Sequence, residues 1–435
     1  MNTRLILPFI LLSVSLDLNS QVFRRFSSDL DKYPVELALF MGQNMSENEM
    51  VFLSEYSERW TTGAIPDSVK TYIIAISNFM LAKNARPKPH YILFINTLNS
   101  LDEHIKDTLS YNNWKKALYD LAGKQDTRLS QIENFLEFSV NLFSNNYLNK
   151  TSAIAWIASD KNFRIEYTDS LRIILDSTSL TCKVLRDSFQ IYRTCGSYNP
   201  LTRIWKGTKG TVTWERSDYD TAMVFAELGK YELNMNLSNY SDDSVIFFNR
   251  NYFDYSLLGR IEDRAETVKS PEQMNNPKFE SYRSDYRIDE LYKNIDFQGG
   301  LSMFGSTLVG SGTRNNKARL TFYRNDSLKL QASSVYFGMD PGKITGPDVT
   351  VNIPIGTDSI VHPSIGMTYF VERNELSLYR NQNFQSQSPY YNNYHKIEMN
   401  FEQLSWNLDE NKIIFKMREA AATGLANFQS ENLFD

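Results

Sequence analysis

The run Tyr231-Glu-Leu-Asn-Met-Asn-Leu237 alternates apolar and polar side chains without a break. The same two-residue period returns in Val349-Thr-Val-Asn-Ile-Pro-Ile355 and in Leu404-Ser-Trp-Asn-Leu408. Strict alternation is typical of a β-strand that buries one face and exposes the other. No helical period interrupts this pattern over most of the chain after Ala155, which argues against βαβ units and a parallel α/β sheet.

Upstream of these strands, from about Asp29 to Asn149, the apolar residues recur with the period of an α-helix. Ser46-Glu-Asn-Glu49 has the sequence of a capping box and predicts the start of one helix. Pro66-Asp-Ser68 predicts the start of the next, and Arg86-Pro-Lys-Pro89 its end. Further helices are predicted at Tyr91–Leu101, Trp114–Leu121 and Ile132–Phe143. The short polar connections favour antiparallel helix pairs in a small helical domain or a helical-repeat unit.

The two periods together predict the α+β class, in which an N-terminal helical domain precedes a β-rich region. We place the helical domain at residues 29–150, β-rich region I at 155–270 and β-rich region II at 278–420. The polar stretch Pro271–Pro277 separates the two β-rich regions.

An Asp-Ser pair followed by an apolar residue recurs through the β-rich regions. The Asp carboxylate, and more weakly the Ser hydroxyl, bonds the backbone two residues on, so we expect each pair to close a turn and begin a strand. The pairs are Asp169-Ser170, Asp187-Ser188, Asp243-Ser244, Asp326-Ser327 and Asp358-Ser359. A repeated turn-plus-strand unit predicts a solenoid-like fold or a stack of antiparallel sheets rather than a closed globule.

The composition excludes several classes of protein. Of 435 residues 46 are basic and 51 acidic, and the net charge of −5 gives no global attraction to nucleic acid. A hydrophobic content of 42% is too high for a disordered chain, and two cysteines cannot build a disulfide scaffold. The aromatic content of 13% suits strands and turns. We expect no nucleic-acid partner and no cofactor.

Residues 1–20 have the layout of a secretory signal peptide. Arg4 supplies a basic start, Leu5–Leu16 is largely apolar, and Ser20 is a small residue just before Gln21. Asp17 interrupts the apolar run before it reaches the roughly 20 residues of a membrane-spanning helix. We therefore expect a periplasmic or secreted protein with no transmembrane span in the mature chain.

Cys182 and Cys195 are the only cysteines. Their strand parity puts both on an apolar face, and export makes a disulfide chemically accessible. A hairpin turning at Arg186–Ser188 would place Cys182 opposite Tyr192, about 10 Å along the strand from Cys195, which is too far for a bridge. We expect two buried thiols, and a Cys182–Cys195 disulfide is the disfavoured alternative.

The sequence contains no motif that marks a catalytic or metal-binding residue. His395 and Glu398 are three apart on a predicted strand and would face opposite sides, so they cannot share one metal ion. Asp358, Ser359 and His362 lie close in sequence but lack the Gly-x-Ser-x-Gly elbow of a catalytic triad.

Two glycine-containing stretches also favour structural roles. Gly338–Lys343 is one residue short of a phosphate-binding loop and is better explained as a turn. Gly299–Gly312 contains five glycines, which are typical of sheet corners where neighbouring strands approach closely. Arg216, next to Trp214 and Glu215 at a strand end, is expected to form a structural ion pair.

A resemblance extends over roughly residues 160–415. Several motifs, in one order, resemble a family of large, uncharacterised exported proteins of Bacteroidetes-type bacteria. The motifs are Trp205-Lys-Gly-Thr-Lys-Gly-Thr-Val-Thr-Trp-Glu-Arg216, Tyr240-Ser-Asp-Asp-Ser-Val245, Asp296-Phe-Gln-Gly-Gly-Leu-Ser-Met-Phe-Gly305, Val309-Gly-Ser-Gly312 and Asp358-Ser-Ile-Val-His-Pro363. Family members are much longer, so the resemblance implies a fragment or a shortened relative, and it implies no activity. The β-rich regions are also similar in architecture to the OstA-like sheets of lipopolysaccharide transport.

These observations predict a non-catalytic structural or binding protein of the periplasm or cell envelope, with an envelope protein, a polysaccharide or a lipid as partner. One alternative is a carrier of lipid or lipopolysaccharide inside an OstA-like folded-over sheet. Another is a carbohydrate-active enzyme on a β-helix, which would need several charged side chains in a groove on one outer face. The carboxylate pair of such an enzyme is a property of the fold and leaves no local spacing to search for.

Overall fold

The computed structural model describes residues 24–42, 45–185, 187–265, 275–381, 384–417 and 427–430. The chain divides into two compact units between Val140 and Asn141, with helices in the first and an antiparallel β-sheet in the second. The predicted α+β class, a helical N-terminal domain followed by a β-rich region, is therefore confirmed. The predicted signal peptide at 1–20 lies outside the described residues.

Six α-helices precede the first strand among the described residues. They are α1 Tyr33–Met41, α2 Glu47–Thr61, α3 Asp67–Ala82, α4 Ile92–His104, α5 Thr108–Gly123 and α6 Leu129–Asn145, with a π-helical turn at Pro87–Tyr91 before α4. The predicted capping box at the start of α2 is present, because Glu49 Oε2 accepts hydrogen bonds from the Ser46 backbone N–H and hydroxyl, both at 2.7 Å.

Aromatic side chains fill the interior of the helical unit. Tyr33 and Trp60 stack with their ring centroids 4.7 Å apart, and both are at most 2% exposed. Their polar atoms are satisfied, because Tyr33 Oη lies 2.8 Å from Ser77 Oγ and Trp60 Nε1 donates to Leu30 O at 2.8 Å. Across the described residues, none of the helices has both the length and the hydropathy needed to cross a bilayer.

The second unit is built from short and long strands that follow one another with few helical turns between them. The first group is β1 Tyr147–Lys150, β2 Ala155–Ala158, β3 Phe163–Tyr167, β4 Leu171–Val184, β5 Asp187–Asn199, β6 Ile204–Thr213, β7 Val224–Leu228, β8 Tyr231–Asn234, β9 Asn239–Asn249, β10 Leu257–Arg264, β11 Lys278–Ser281 and β12 Tyr286–Tyr292. The second is β13 Ile295–Phe304, β14 Thr307–Ser311, β15 Ala318–Arg324, β16 Ser327–Ser334, β17 Tyr336–Asp340, β18 Lys343–Ile355, β19 Asp358–Phe370, β20 Glu375–Tyr379, β21 Tyr390–Asn392, β22 Ile397–Asn400, β23 Gln403–Asn407, β24 Ile413–Lys416 and β25 Asn427–Ser430.

Every described pairing between these strands is antiparallel, and the strands belong to one hydrogen-bonded network. A long strand often pairs along one edge with two shorter strands, one after the other. β4 pairs with β3 through its first half and with β2 through its second half, and β6 pairs likewise with β8 and then with β7. β18 shares an edge in the same way between β17 and β16.

Bulges keep the apolar side chains of both halves of a long strand on the buried side. In β4 the buried positions are odd-numbered up to Leu175 and even-numbered from Thr178, and the two residues between them are exposed. The pairing of β4 with β5 shifts register at this point. One extra residue reverses the alternation of a strand and bends it, so each half can bury its own apolar face.

The Asp-Ser pairs mostly follow the expectation. Four of the five lie between paired strands or at the first residues of a strand, as at Asp326-Ser327, where β16 begins at Ser327. The expectation is wrong for Asp243-Ser244, which lies inside β9. Ser244 has a φ of +63° there, and the β9–β10 register shifts beside it, so this pair forms a bulge rather than a turn.

Strand pairing is continuous between the predicted β-rich regions I and II. β10, the last strand of the first region, pairs with β11, and β11 pairs with β13 of the second region. The second compact unit accordingly runs from Asn141 through both regions.

Candidate functional site

An open groove of about 820 Å³ is lined by residues of β4, β5, β6 and β9 and by residues 230–232 around the start of β8. It lies where strand pairing is interrupted. Among the described strands β8 hydrogen-bonds only to β6, whereas the next strand, β9, pairs with β7 and β10. The groove therefore results from the topology of the sheet and not from a local sequence motif.

A row of side chains crosses the groove in register. Ile174 lies opposite Ser197, Ser197 opposite Lys206, and Lys206 opposite Glu232. Lys206 Nζ lies 3.7 Å from Glu232 Oε2, and both side chains are more than half exposed. Because both side chains are exposed, their charges are accessible to a bound ligand. An exposed ion pair of this kind contributes little to the stability of the fold.

Glycines form part of the groove wall, beside a buried tyrosine. A Cβ at Gly207 would lie 2.2 Å from the Tyr231 ring, so only glycine fits there without movement. Tyr231 Oη lies 2.5 Å from Thr194 Oγ1 and accepts a hydrogen bond from Trp205 Nε1 at 3.2 Å. Burial raises the pKa of Tyr231 to about 12. Tyr231 is thus a neutral, fixed part of the wall at physiological pH.

Asp242 is the most strongly perturbed acid in the groove. It lies in β9 immediately before the bulge at Asp243-Ser244, and its Oδ2 is buried without a hydrogen-bond partner in the described part of the chain. Burial, with a smaller contribution from the neighbouring Asp243 carboxylate, raises the pKa of Asp242 to about 6. Its carboxyl group therefore changes charge close to neutral pH.

The other carboxylates of the groove have cationic partners. Asp176 Oδ1 lies 3.0 Å from Arg164 Nη2, and Asp243 Oδ1 lies 3.9 Å from Arg260 Nε. Together with the Glu232–Lys206 pair, these contacts leave Asp242 as the groove carboxylate without an ion pair among the described residues. Asp242 was not predicted as a site residue, and its only local signal in the sequence is the Asp-Asp-Ser run that the bulge occupies.

The predicted register around the cysteines is wrong. Cys182 lies opposite Phe189, not Tyr192, because the β4–β5 hairpin turns earlier, with Val184 opposite Asp187. Cys182 is a buried free thiol whose pKa is raised to about 12 by burial.

Cys195 was expected on the buried face and is instead a partly exposed free thiol that lines the groove. Its Sγ lies 3.0 Å from Thr208 Oγ1. The reason is a further bulge, this one in β5, where Arg193 has a φ of +49° and Thr194 takes the buried position.

Arg216 forms the expected ion pair, and its partners are distant in sequence. Its guanidinium contacts the Asp263 carboxylate on β10 and lies 3.8 Å from Asp187 Oδ2 on β5. Asp263 is 2% exposed, and burial raises its pKa to about 6 even though Arg216 opposes the shift. Glu215, beside Arg216, instead accepts a hydrogen bond from Tyr192 Oη at 2.6 Å.

The structure does not bring Asp358, Ser359 and His362 together as a catalytic group. His362 is fully buried, its Nε2 lies 2.9 Å from Ser388 O, and its Nδ1 accepts from the Ser364 N–H at 3.1 Å. Within the described ranges no group of three His, Cys, Asp or Glu side chains is arranged to hold a metal ion.

Gly299–Gly312 forms β13 and β14 with the turn between them, where Gly305 has a φ of +54°. A Cβ at Gly310 would lie 2.5 Å from the Phe297 ring, so the close approach expected of these glycines is present.

Comparison of the chain with protein-family models, with curated proteins and with solved structures finds no match.

Proposed function

We propose that the chain is a non-catalytic binding protein of the cell envelope and that the groove beside β8 binds an oligosaccharide segment of an envelope polysaccharide. The observation that carries this proposal is the groove itself, in which charged and hydroxyl side chains from several strands meet on one outer face. Asp, Glu, Lys, Ser and Thr side chains are the donors and acceptors that sugar hydroxyl groups need.

The size and lining of the groove favour a saccharide over the other expected partners. The groove volume of about 820 Å³ is in the range of small-ligand sites. A stable protein–protein interface is instead an extended surface rather than a groove of this size. The groove is open to solvent and lined by charged side chains such as Lys206, Glu232 and Asp243, whereas a lipid chain needs an enclosed apolar surface.

We further infer that the β-rich unit is a folded-over, stacked sheet. The shared edges of the long strands and the bulges at their centres support this architecture. A lipid carrier of this shape would need a hollow interior. Large side chains such as Trp156, Trp205 and Tyr198 are at most 1% exposed and occupy inward positions, which makes the carrier the weaker alternative.

Isothermal titration of the purified protein with a panel of hexasaccharides tests the binding function. The panel contains hexamers of glucose, glucosamine and N-acetylglucosamine. We expect at least one to bind, and Ser197→Trp, which fills the groove, to remove that binding. The matched control is Ser333→Trp, also a half-buried serine between two neighbouring strands but remote from the groove. Absence of binding to the whole panel, or equal loss in both variants, would overturn the proposal.

Export is a second component of the proposal, supported by the signal-peptide layout of residues 1–20. Expression of the full chain in a bacterial host with an intact secretion pathway tests it. We expect intact-mass spectrometry of the periplasmic fraction to find a chain that begins near Gln21. Full-length protein confined to the cytoplasm is the result that argues against export.

One observation favours a second candidate function, a carbohydrate-active enzyme. Asp242 has a raised pKa of about 6 in a groove that also holds Asp176, Glu232 and Asp243, and glycoside hydrolysis uses one protonated and one ionised carboxyl group. Incubation of the same hexamers with the protein, followed by chromatography, distinguishes the two functions. Shortened products that disappear in Asp242→Asn would identify an enzyme, and intact hexamers support a binding protein.

A further inference from the structure

We propose that the saccharide bound in the groove carries a protonated amine and that the Asp242 carboxylate is the group that binds it. This inference rests on the proposed binding function and adds the chemical class of the ligand, a polysaccharide containing free amino sugars.

The pairing of the groove charges is the first observation. Asp176, Glu232 and Asp243 each have an Arg or Lys partner within 4 Å, at 3.0, 3.7 and 3.9 Å. Asp242 has no such partner among the described residues, although it lines the same groove. A cationic group brought by the ligand would complete the pairing and would meet the least competition at Asp242.

The second observation is the unmet hydrogen-bonding capacity of Asp242. Its Oδ2 is buried and has no donor in the described part of the structure. The Asp243 backbone N–H donates a hydrogen bond to the Asp242 carboxyl, but burial outweighs its effect on the pKa. The carboxylate is therefore poorly stabilised by the protein, because a buried oxygen without a donor costs free energy. An ammonium group beside the carboxyl would supply both the donor and the opposite charge. A neutral sugar hydroxyl supplies a donor without the charge and is the weaker partner.

The raised pKa of Asp242, about 6, agrees with this geometry. The charged groups that line the groove around Asp242 are Asp176 on β4, Lys206 on β6, Lys230 and Glu232 beside and on β8, and Asp243 on β9, with Cys195 and Tyr231 as further titratable groups. On the neighbouring strand β10, Arg260 is paired with Asp243 and Glu262, the latter at 2.7 Å. Lys206 and Arg260 are therefore already paired with other carboxylates, and Lys230 forms no ion pair with Asp242 among the described residues.

Isothermal titration with two matched probes tests the inference. The probes are the hexamers of glucosamine and of N-acetylglucosamine, which differ in whether the amine is free. The titrations are run at about pH 6.5, above the pKa of Asp242 and below that of an α-amino-type amine. We expect the wild-type protein to bind the glucosamine hexamer about tenfold more tightly, the effect of one charge-assisted hydrogen bond.

Two single variants locate the preference. Asp242→Asn keeps the shape of the side chain and removes its charge, and we expect it to bind both hexamers equally. Asp289→Asn is the matched control, because it removes the same charge from an exposed strand position that does not line the groove, and we expect it to retain the preference. Circular dichroism compares the folding of both variants with that of the wild type.

The outcomes separate the inference from the function on which it rests. Equal binding of the two hexamers by the wild type overturns the inference and leaves the saccharide-binding function standing. A preference that survives in Asp242→Asn also overturns it, because another group then binds the amine. If no hexamer binds, the proposed function fails and the inference fails with it. The wild-type comparison needs no variant, so a variant that fails to fold does not block the test.

Discussion

Asp263 shows how one buried carboxyl links distant parts of the chain. It is 2% exposed, contacts the Arg216 guanidinium, and its Oδ1 accepts from the Arg264 backbone N–H at 2.8 Å. Its pKa of about 6 is well above the value of 3.8 that applies to an exposed aspartate. Burial therefore disfavours the ionised form by more than Arg216 stabilises it.

This raised pKa predicts a gain in stability as the pH falls from about 7.5 to about 5. The folded protein binds a proton at Asp263 in that interval, while the unfolded chain does so only nearer pH 4, so protonation favours the folded state. The contribution is on the order of 1 kcal/mol in the free energy of unfolding. Urea denaturation at both pH values measures it.

The control for this prediction is Asp263→Asn, which removes the titrating group. The wild type should gain more stability than the variant by about that amount as the pH falls. The same pH dependence in both proteins would show that Asp263 does not titrate in this range.

The two thiols should differ sharply in reactivity. Cys195 is partly exposed in the groove, whereas Cys182 is buried with a pKa raised to about 12. A thiolate is the reactive form, so a disulfide reagent at about pH 8 should label one thiol in the native protein and the second only after denaturation. Cys195→Ser should abolish the native reaction. A disulfide detected by peptide mass spectrometry would contradict the β4–β5 register.

At the level of elements, the close approach of β6 and β8 depends on a glycine. Gly207→Ala places a methyl group 2.2 Å from the Tyr231 ring, which is held by hydrogen bonds to Thr194 and Trp205. We expect a loss of about 1 to 3 kcal/mol in the free energy of unfolding, the usual cost of overpacking. Denaturant titration measures the change.

Gly229→Ala is the matched control, since a Cβ there has no atom within 4 Å. Its effect should stay within about 0.5 kcal/mol, as for other surface substitutions. Comparable losses in both variants would mean that the effect is not due to the contact with Tyr231.

The order and type of the elements could be predicted because they depend on local periodicity. The strand at 231–234 and the helix that follows Ser46 are both present. The bulges could not be predicted in the same way. A bulge inserts one residue that no sequence pattern marks, as at Arg193 and Ser244, each of which has a positive φ, and it moves every later side chain to the other face. Cys195 lies beyond the first of these bulges, so its side chain is on the opposite face from the one that alternation predicted.

The candidate site could not be predicted from the sequence, for a different reason. The groove brings together residues from β4 to β9, and the gap beside β8 exists only because β9 pairs with other strands. Residues such as Ser197 and Lys206 carry no pattern that marks them as neighbours. The perturbation of Asp242 arises from burial, which is likewise a property of the folded sheet.

For the molecule as a whole, the pairing of strands closely follows their order in the chain. Among the described strands no pair is more than three strands apart in sequence, and many pairs are direct hairpins. Each new strand can therefore add to an edge that earlier residues have already formed. Sheets of this kind avoid the large loss of chain entropy that long-range pairing requires.

The consequence concerns the order of folding during synthesis. A polypeptide that emerges from a ribosome delivers its amino end first, and here that is also the order in which the sheet can grow. Registers established early, such as that of β4 with β5, provide the template for those that follow. Assembly of this sheet can thus proceed in one direction and in step with the arrival of the chain.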